Sequence, residues 1–110
     1  MQISARHLDK ITIFDISGDI DLSTSPDLRE PLLRELRELR TPRVVLNLKA
    51  VRYIDSSGVA SLVEGLKASR DVGSRFILFG LNTTVREVLQ LSKLVRIFEI
   101  CESEEQAVAT

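Results

Sequence analysis

The sequence predicts an α/β fold in which a mixed β-sheet, made of an N-terminal hairpin followed by parallel strands, packs its helices mainly on one face. Two observations support this prediction. Short apolar runs alternate with amphipathic stretches of helical length along nearly the whole chain, which is typical of parallel strands joined by right-handed helical crossovers. The first two strand-like segments are separated only by a tight turn, which favours an antiparallel hairpin.

The length of the chain indicates one domain, which we place at residues 1–110. A domain of this size buries roughly two-thirds of the surface that its unfolded chain exposes, so it needs no metal or disulfide to fold. Hydrophobic residues make up 44% of the sequence and charged residues 28%. That balance is typical of a globular chain and not of a disordered one.

Composition also excludes several classes of function. The net charge of −1 gives no basic excess for binding nucleic acid. One cysteine and one histidine cannot form an internal disulfide or a structural zinc site. No apolar run approaches the length of a membrane span, and the first residues lack the apolar core of a signal peptide. We therefore expect a cytoplasmic protein, or the cytoplasmic part of a larger assembly, without membrane insertion.

The first half of the chain predicts a hairpin, a helix and a buried strand. Residues 2–16 are strand-like with a turn at 8–10, and the GDID segment at 18–21 ends the second strand. Ser25 is expected to cap a helix that has proline at its first position. Four leucines repeat there at helical spacing: Leu28, Leu32, Leu36 and Leu39. The other faces of the helix, which carry Arg29, Arg34, Glu35 and Arg37, are expected to be solvated. The apolar run at 44–48 predicts a central, buried strand.

The second half of the chain repeats the alternation. A second helix is expected after Asp55, with an apolar stripe at Val59, Leu62, Val63 and Leu66 and an end near residues 72–73. The remaining elements are a buried strand at 76–80, a helix at 84–91, a strand at 97–100 and a short terminal helix opened by capping-box spacing at 103–106.

The segment YIDSSGV at residues 53–59 places two serines at the predicted junction between a strand and a helix. One interpretation is structural, because Asp and Ser side chains both accept hydrogen bonds from the amides of a first helical turn. A second is that a serine acts as a nucleophile. A third is that another protein modifies a serine here.

A catalytic role finds little support in the sequence. A nucleophilic serine needs a base within hydrogen-bond reach, and the only histidine, His7, belongs to the predicted N-terminal hairpin. The pattern G-x-S-x-G is absent because Ile54 stands two positions before Ser56. No phosphate-binding G-x-x-x-x-G-K-[ST] motif occurs either. We therefore expect that the protein is not an enzyme and that it binds no metal and no cofactor.

Modification by another protein suits the segment better. A phosphoryl group adds a charge of about −1.5 to −2, and at a helix N-terminus it is expected to meet a favourable dipole and free amides. Its effect would be local, because added charge and bulk beside Asp55 make the surface repulsive to an acidic or apolar partner. Such a group switches an interaction on or off.

The VVLNL run at 44–48, followed by YIDSSGV at 53–59, resembles the signature of STAS domains of the anti-sigma-factor antagonist family. The GDID segment at 18–21, with Thr24 and Leu28, resembles the upstream motif of that family, G-x-[LIV]-D followed by a helix. The order and spacing of these motifs match over nearly the whole chain.

The resemblance implies a bacterial binding module that regulates transcription by partner switching. When unphosphorylated, such a module binds an anti-sigma factor, often itself a serine kinase, and frees the sigma factor; a serine phosphatase reverses the mark. By motif position the phosphoryl acceptor is Ser56, with Ser57 as the second choice. The resemblance also implies a partner-binding surface made of Asp21, Thr24, Asp55, Ser56, Ser57, Gly58 and Val59.

A second function is compatible with the same family. STAS domains also occur as subunits of membrane transport systems, including lipid-type ABC transporters, where they support assembly. The start of the second helix would then bind the transporter's ATPase without being phosphorylated. The retained Asp-Ser-Ser sequence favours the antagonist, although a serine can also be kept there as a helix cap.

Overall fold

The computed structural model describes residues 1–109, which form one five-stranded sheet and four helices. The strands are β1 (Gln2–Leu8), β2 (Ile11–Ile20), β3 (Arg43–Ile54), β4 (Arg75–Phe79) and β5 (Glu99–Cys101). The helices are α1 (Ser25–Arg37), α2 (Ser56–Val72), α3 (Thr83–Leu91) and α4 (Glu104–Ala109). The predicted α/β class is confirmed.

The strands lie side by side in chain order, β1-β2-β3-β4-β5. β1 pairs antiparallel with β2, and every later pair is parallel. Right-handed crossovers that always step in the same direction leave their helices on one face of a sheet. α1, α2 and α3 accordingly share one apolar core against β2, β3 and β4, so the predicted arrangement of helices mainly on one face is confirmed.

Helix α4 is the exception, because it covers part of the opposite face. Its Ala107 is fully buried and packs with Ile13, Val45, Ile77 and Phe79 of the sheet. Arg43 holds the end of this helix by donating hydrogen bonds to the carbonyl oxygens of Ala107 and Val108. No helix within residues 1–109 has the length and apolarity that a membrane span requires.

Strand β3 continues well beyond the predicted run at 44–48. Its register against β2 shifts twice, and each time β3 contains one extra residue, as in a β-bulge. Leu48, Val51 and Ile54 therefore repeat at every third position and are all buried against the helices. The extended strand ends beside the end of β2, where Ile20 pairs with Ile54.

Three local predictions for α1 are wrong. Thr24, and not Ser25, is the residue before the helix, and Ser25 is its first helical residue. Leu39 follows the end of the helix and is 59% exposed. Glu35, expected on the solvated side, is buried and accepts hydrogen bonds from the hydroxyls of Thr12 and Thr41. Those hydroxyls supply the polar partners that a buried carboxylate needs.

The last strand is shorter and later than the predicted 97–100, since β5 spans Glu99–Cys101. Ile97 is exposed, whereas Phe98 turns inward and contacts the ring of Phe76 with centroids 6.5 Å apart. The short apolar run thus contains a core contact before the strand begins. The predicted capping box is present in part: the Gln106 amide donates to the Ser103 hydroxyl at 3.2 Å, but the Gln106 side chain accepts from the Glu102 amide at 2.9 Å in place of the Ser103 amide.

Candidate functional site

The loops that follow β2 and β3 meet at the edge of the sheet where the parallel strands end. The Asp55 amide donates to the carbonyl of Ile20 at 3.1 Å, which continues the pairing of the two strands by one residue. The β2–α1 loop carries Asp21 and Thr24, and the β3–α2 junction carries Asp55 and Ser56. Sequence motifs more than thirty residues apart are thereby brought to one surface.

The β2–α1 loop is held together by its own side chains. Asp21 Oδ1 accepts hydrogen bonds from the Ser23 hydroxyl at 2.8 Å and from the Ser23 and Thr24 amides at 3.0 and 3.2 Å. The Thr24 hydroxyl accepts from the Asp21 amide at 2.9 Å and donates to the Asp19 carbonyl at 2.8 Å. The hydroxyl of Ser23, followed by these amides, lowers the pKa of Asp21, so its carboxylate stays ionised.

Asp55 caps α2 from the extended backbone conformation that an N-cap residue adopts. Its Oδ1 accepts hydrogen bonds from the amides of Ser57 and Gly58 at 3.0 and 3.1 Å and from the Ser57 hydroxyl at 2.5 Å. Its Oδ2 accepts from the Leu22 amide at 3.2 Å. The Ser57 hydroxyl is the largest cause that lowers the pKa of Asp55, followed by the Gly58 amide.

The two serines differ in what surrounds them. Ser56 is the first residue of α2, its side chain is exposed, and its hydroxyl makes no hydrogen bond with any other residue of the 1–109 range. Ser57 is half-buried and its hydroxyl is bound to Asp55. A phosphoryl group at this helix start was expected to meet free amides. That expectation is wrong for the amides of Ser57 and Gly58, because both already donate hydrogen bonds to Asp55.

Gly58 and Val59, both assigned to the partner surface from the sequence, are buried. A Cβ on Gly58 would lie 2.6 Å from Ile54 Cγ1 and 2.9 Å from the carbonyl oxygen of Ile20. Glycine is therefore needed for the first turn of α2 to approach the ends of β2 and β3. These two residues shape the surface from beneath and add little exposed area to it.

The structure adds exposed apolar residues that sequence reasoning missed. Leu22, in the β2–α1 loop, is 78% exposed, and Tyr53, near the end of β3, is 47% exposed. The signal for Leu22 was present in the sequence, since it is a lone apolar residue among the polar residues of a loop. The signal for Tyr53 was weaker, because a strand end often carries an aromatic residue.

Acidic side chains at this edge do not form a metal centre. Within residues 1–109, no three His, Cys, Asp or Glu side chains are grouped closely enough to hold a metal ion. Asp21 Oδ1 and both carboxylate oxygens of Asp55 accept hydrogen bonds from amides or hydroxyls of the β2–α1 loop and the start of α2. The arrangement presents an exposed hydroxyl with two ionised carboxylates nearby and apolar side chains around it.

Comparison with known sequences agrees with this geometry. The STAS domain family matches residues 2–107 of the chain. The anti-sigma-B factor antagonist of Listeria monocytogenes is 33% identical over 101 residues, which cover 91% of this chain and 86% of that protein. The anti-sigma F factor antagonist of Paenibacillus polymyxa is 27% identical over 108 residues, covering 98% and 92%. The chain belongs to the STAS domain family of anti-sigma factor antagonists.

Solved structures show the same fold at lower sequence identity. An anti-sigma factor antagonist from Mycobacterium paratuberculosis superposes with a TM-score of 0.87 at 20% identity, over 97% of this chain and 90% of that one. The Bacillus protein SpoIIAA in its phosphorylated form gives 0.76 at 20% identity, over 97% and 96%. A sulfate transporter family protein from Wolinella succinogenes gives 0.80 at 18%, over 93% and 84%. The fold alone therefore does not separate an antagonist from a transporter domain.

Proposed function

We propose that this chain is an anti-sigma factor antagonist controlled by phosphorylation of Ser56. Unphosphorylated, it binds an anti-sigma factor, releases the sigma factor and so regulates transcription. The observation that carries the proposal is the contrast between the two serines: the Ser56 hydroxyl is exposed and unengaged at the start of α2, whereas the Ser57 hydroxyl is bound to Asp55. A modifying enzyme reaches Ser56 without breaking the cap of the helix.

The electrostatics of the site support a switch that works by direct interference. A phosphoryl group on Ser56 would add a charge of about −1.5 to −2. Asp21 and Asp55, whose pKa values are both lowered by hydrogen bonds, remain negative beside it. The same surface exposes Leu22 and Tyr53. Adding charge and bulk among apolar contact residues disfavours a docked partner through desolvation and like-charge repulsion.

The partners follow from the chemistry of the proposed switch. The anti-sigma factor is expected to be the serine kinase that phosphorylates Ser56, and a serine phosphatase is expected to remove the mark. The relatives named as anti-sigma factor antagonists and the solved phosphorylated form of SpoIIAA support this assignment. In this proposal the chain is a cytoplasmic binding module and not an enzyme.

The test begins with copurification of the tagged chain from its own cells and identification of the bound kinase by mass spectrometry. Calorimetry with that kinase, expressed alone, then compares the wild type with Ser56→Ala and Ser56→Asp. We expect Ser56→Ala to bind like the wild type and to incorporate no phosphate, and Ser56→Asp to bind more weakly. Ser4→Asp is the matched control, because Ser4 is exposed on β1.

Two results would overturn the proposal. Equal affinity for the wild type and the enzymatically phosphorylated protein would remove the switch. Copurification of a transporter ATPase, with Ser56 unmodified, would replace the antagonist with the transporter-subunit function.

A further inference from the structure

A groove of about 500 Å³ begins at Ser56 and runs along α2. One wall is the helix, through Val59, Ala60 and Val63, and the other is the segment that connects α3 to β5, through Leu94. Positions 56, 59, 60, 63 and 67 of an α-helix lie on one face, so the lining residues form a continuous stripe. Ala60 is exposed and small, and it leaves the middle of the groove open.

Of the two charged side chains at the far end of the groove, one has an ion-pair partner and the other has none within residues 1–109. Glu64 is paired with Arg29 of α1, with Arg29 Nε and Glu64 Oε2 2.5 Å apart. Lys67 is exposed, and no carboxylate within residues 1–109 forms an ion pair with it. The groove therefore presents an apolar floor with one uncompensated positive charge at the end opposite Ser56.

We propose that this groove receives an amphipathic segment of the anti-sigma factor, which inserts an apolar side chain over Ala60 and places an acidic residue against Lys67. The inference rests on the proposed function and specifies how the partner is recognised. An apolar groove with a charged end is the arrangement that binds one face of an amphipathic helix. The uncompensated charge on Lys67 sets the sign that the partner must carry there.

The position of Ser56 connects recognition to regulation. Ser56 lines the same groove as Ala60 and Val63, so a phosphoryl group there places its charge at the opening of an apolar contact. Ala60, Val63 and Lys67 are then specificity-determining residues. They discriminate among partners while Ser56 decides whether any partner binds.

Calorimetry with the kinase identified by copurification tests the inference through three substitutions on α2. Ala60→Glu puts bulk and charge into the groove, and we expect affinity to fall by about tenfold or more, as for a central contact residue. Lys67→Glu is expected to weaken binding by about fivefold, as for the loss of one interfacial ion pair. Arg70→Glu is the matched control, since it makes the same change of charge on the same helix outside the groove; its affinity is expected to stay within about twofold.

Ala60→Ser keeps the side chain small and is expected to bind like the wild type. This result would show that Ala60→Glu weakens binding by filling the groove and not merely by removing the alanine. Circular dichroism and thermal melting check that each variant folds. If the wild type binds and Ala60→Glu and Lys67→Glu both match Arg70→Glu, the groove is not the contact and the inference fails alone. If the wild type itself binds no anti-sigma factor, the proposed function fails and takes the inference with it.

Discussion

The Asp55 carboxylate accepts a hydrogen bond from the Leu22 amide at 3.2 Å, across 33 positions of sequence. Its other oxygen caps α2. One side chain therefore fixes the start of the helix that carries Ser56 and also fixes the loop that exposes Leu22. We therefore expect Asp55 to position the partner-binding surface, whether or not the partner touches it.

Asp55→Ala should loosen both segments at once. The amides of Ser57 and Gly58 lose their acceptor and the Leu22 amide loses its partner, so we expect faster hydrogen exchange at all three and a lower melting temperature. Asp71→Ala is the control, because Asp71 is exposed near the end of the same helix and its carboxylate makes no hydrogen bond within residues 1–109. Unchanged exchange at Leu22 in Asp55→Ala would contradict the link between the loops.

The stabilisation from Asp55 should depend on pH in a defined direction. Its pKa in the folded protein lies below the ordinary value of 3.8. The stabilisation is therefore fully present at pH values above the unfolded-state pKa of Asp55, and it is lost as the pH falls through the lower folded-state pKa. We expect the difference in melting temperature between the wild type and Asp55→Asn to shrink between neutral pH and about pH 2.5. A constant difference over that range would argue against a cap by the ionised carboxylate.

Gly58→Ala should destabilise the fold although alanine favours helices. The new Cβ would lie 2.6 Å from Ile54 Cγ1 and 2.9 Å from a backbone oxygen, and overpacking of this kind costs about 1–3 kcal/mol. The gain in helix propensity, about 1 kcal/mol, offsets only part of that cost. Urea unfolding measures the difference. Ser56→Ala, two residues earlier and exposed, should change the free energy of unfolding by no more than about 0.5 kcal/mol.

Ser57→Ala distinguishes the role of Ser57 from that of Ser56 through the pKa of Asp55. The Ser57 hydroxyl is the largest cause of the lowered pKa of Asp55, so its removal should raise that pKa toward the ordinary value. The side-chain carboxyl resonance of Asp55, followed by NMR as a function of pH, reports the change. Phosphorylation at Ser56 should continue in this variant; its loss would mean that the acceptor has been assigned to the wrong serine.

Local patterns in the sequence predicted the elements whose residues are periodic and undistorted. The stripe of α2 was predicted correctly, because Val59, Leu62 and Leu66 follow helical spacing and are buried, and Val63 is half-buried against the same core. Its end was correct because Gly73 adopts φ 73°, which glycine tolerates. The cap was recognisable because an acid before two serines has few other structural uses.

The remaining features depend on contacts that local spacing does not encode. The bulges of β3 change its period from two to three, so Val51 and Ile54 did not look like strand residues. Glu35 looked like a solvated side chain because its partners lie outside α1, Thr12 on β2 and Thr41 in the connection to β3. The groove beside Ser56 requires Leu94 from a distant segment, which no motif in the sequence marks.

Fragment mass spectrometry of the tryptic peptide 53–67, from protein purified from its own cells, shows directly whether Ser56 is phosphorylated. The peptide contains Ser56, Ser57 and the buried Ser61, so one fragment spectrum compares the three positions as phosphorylation sites. We expect a phosphoryl group on Ser56 in at least one growth state and none on Ser61. Phosphate on Ser57 instead, or an unmodified peptide in every growth state, would contradict this expectation.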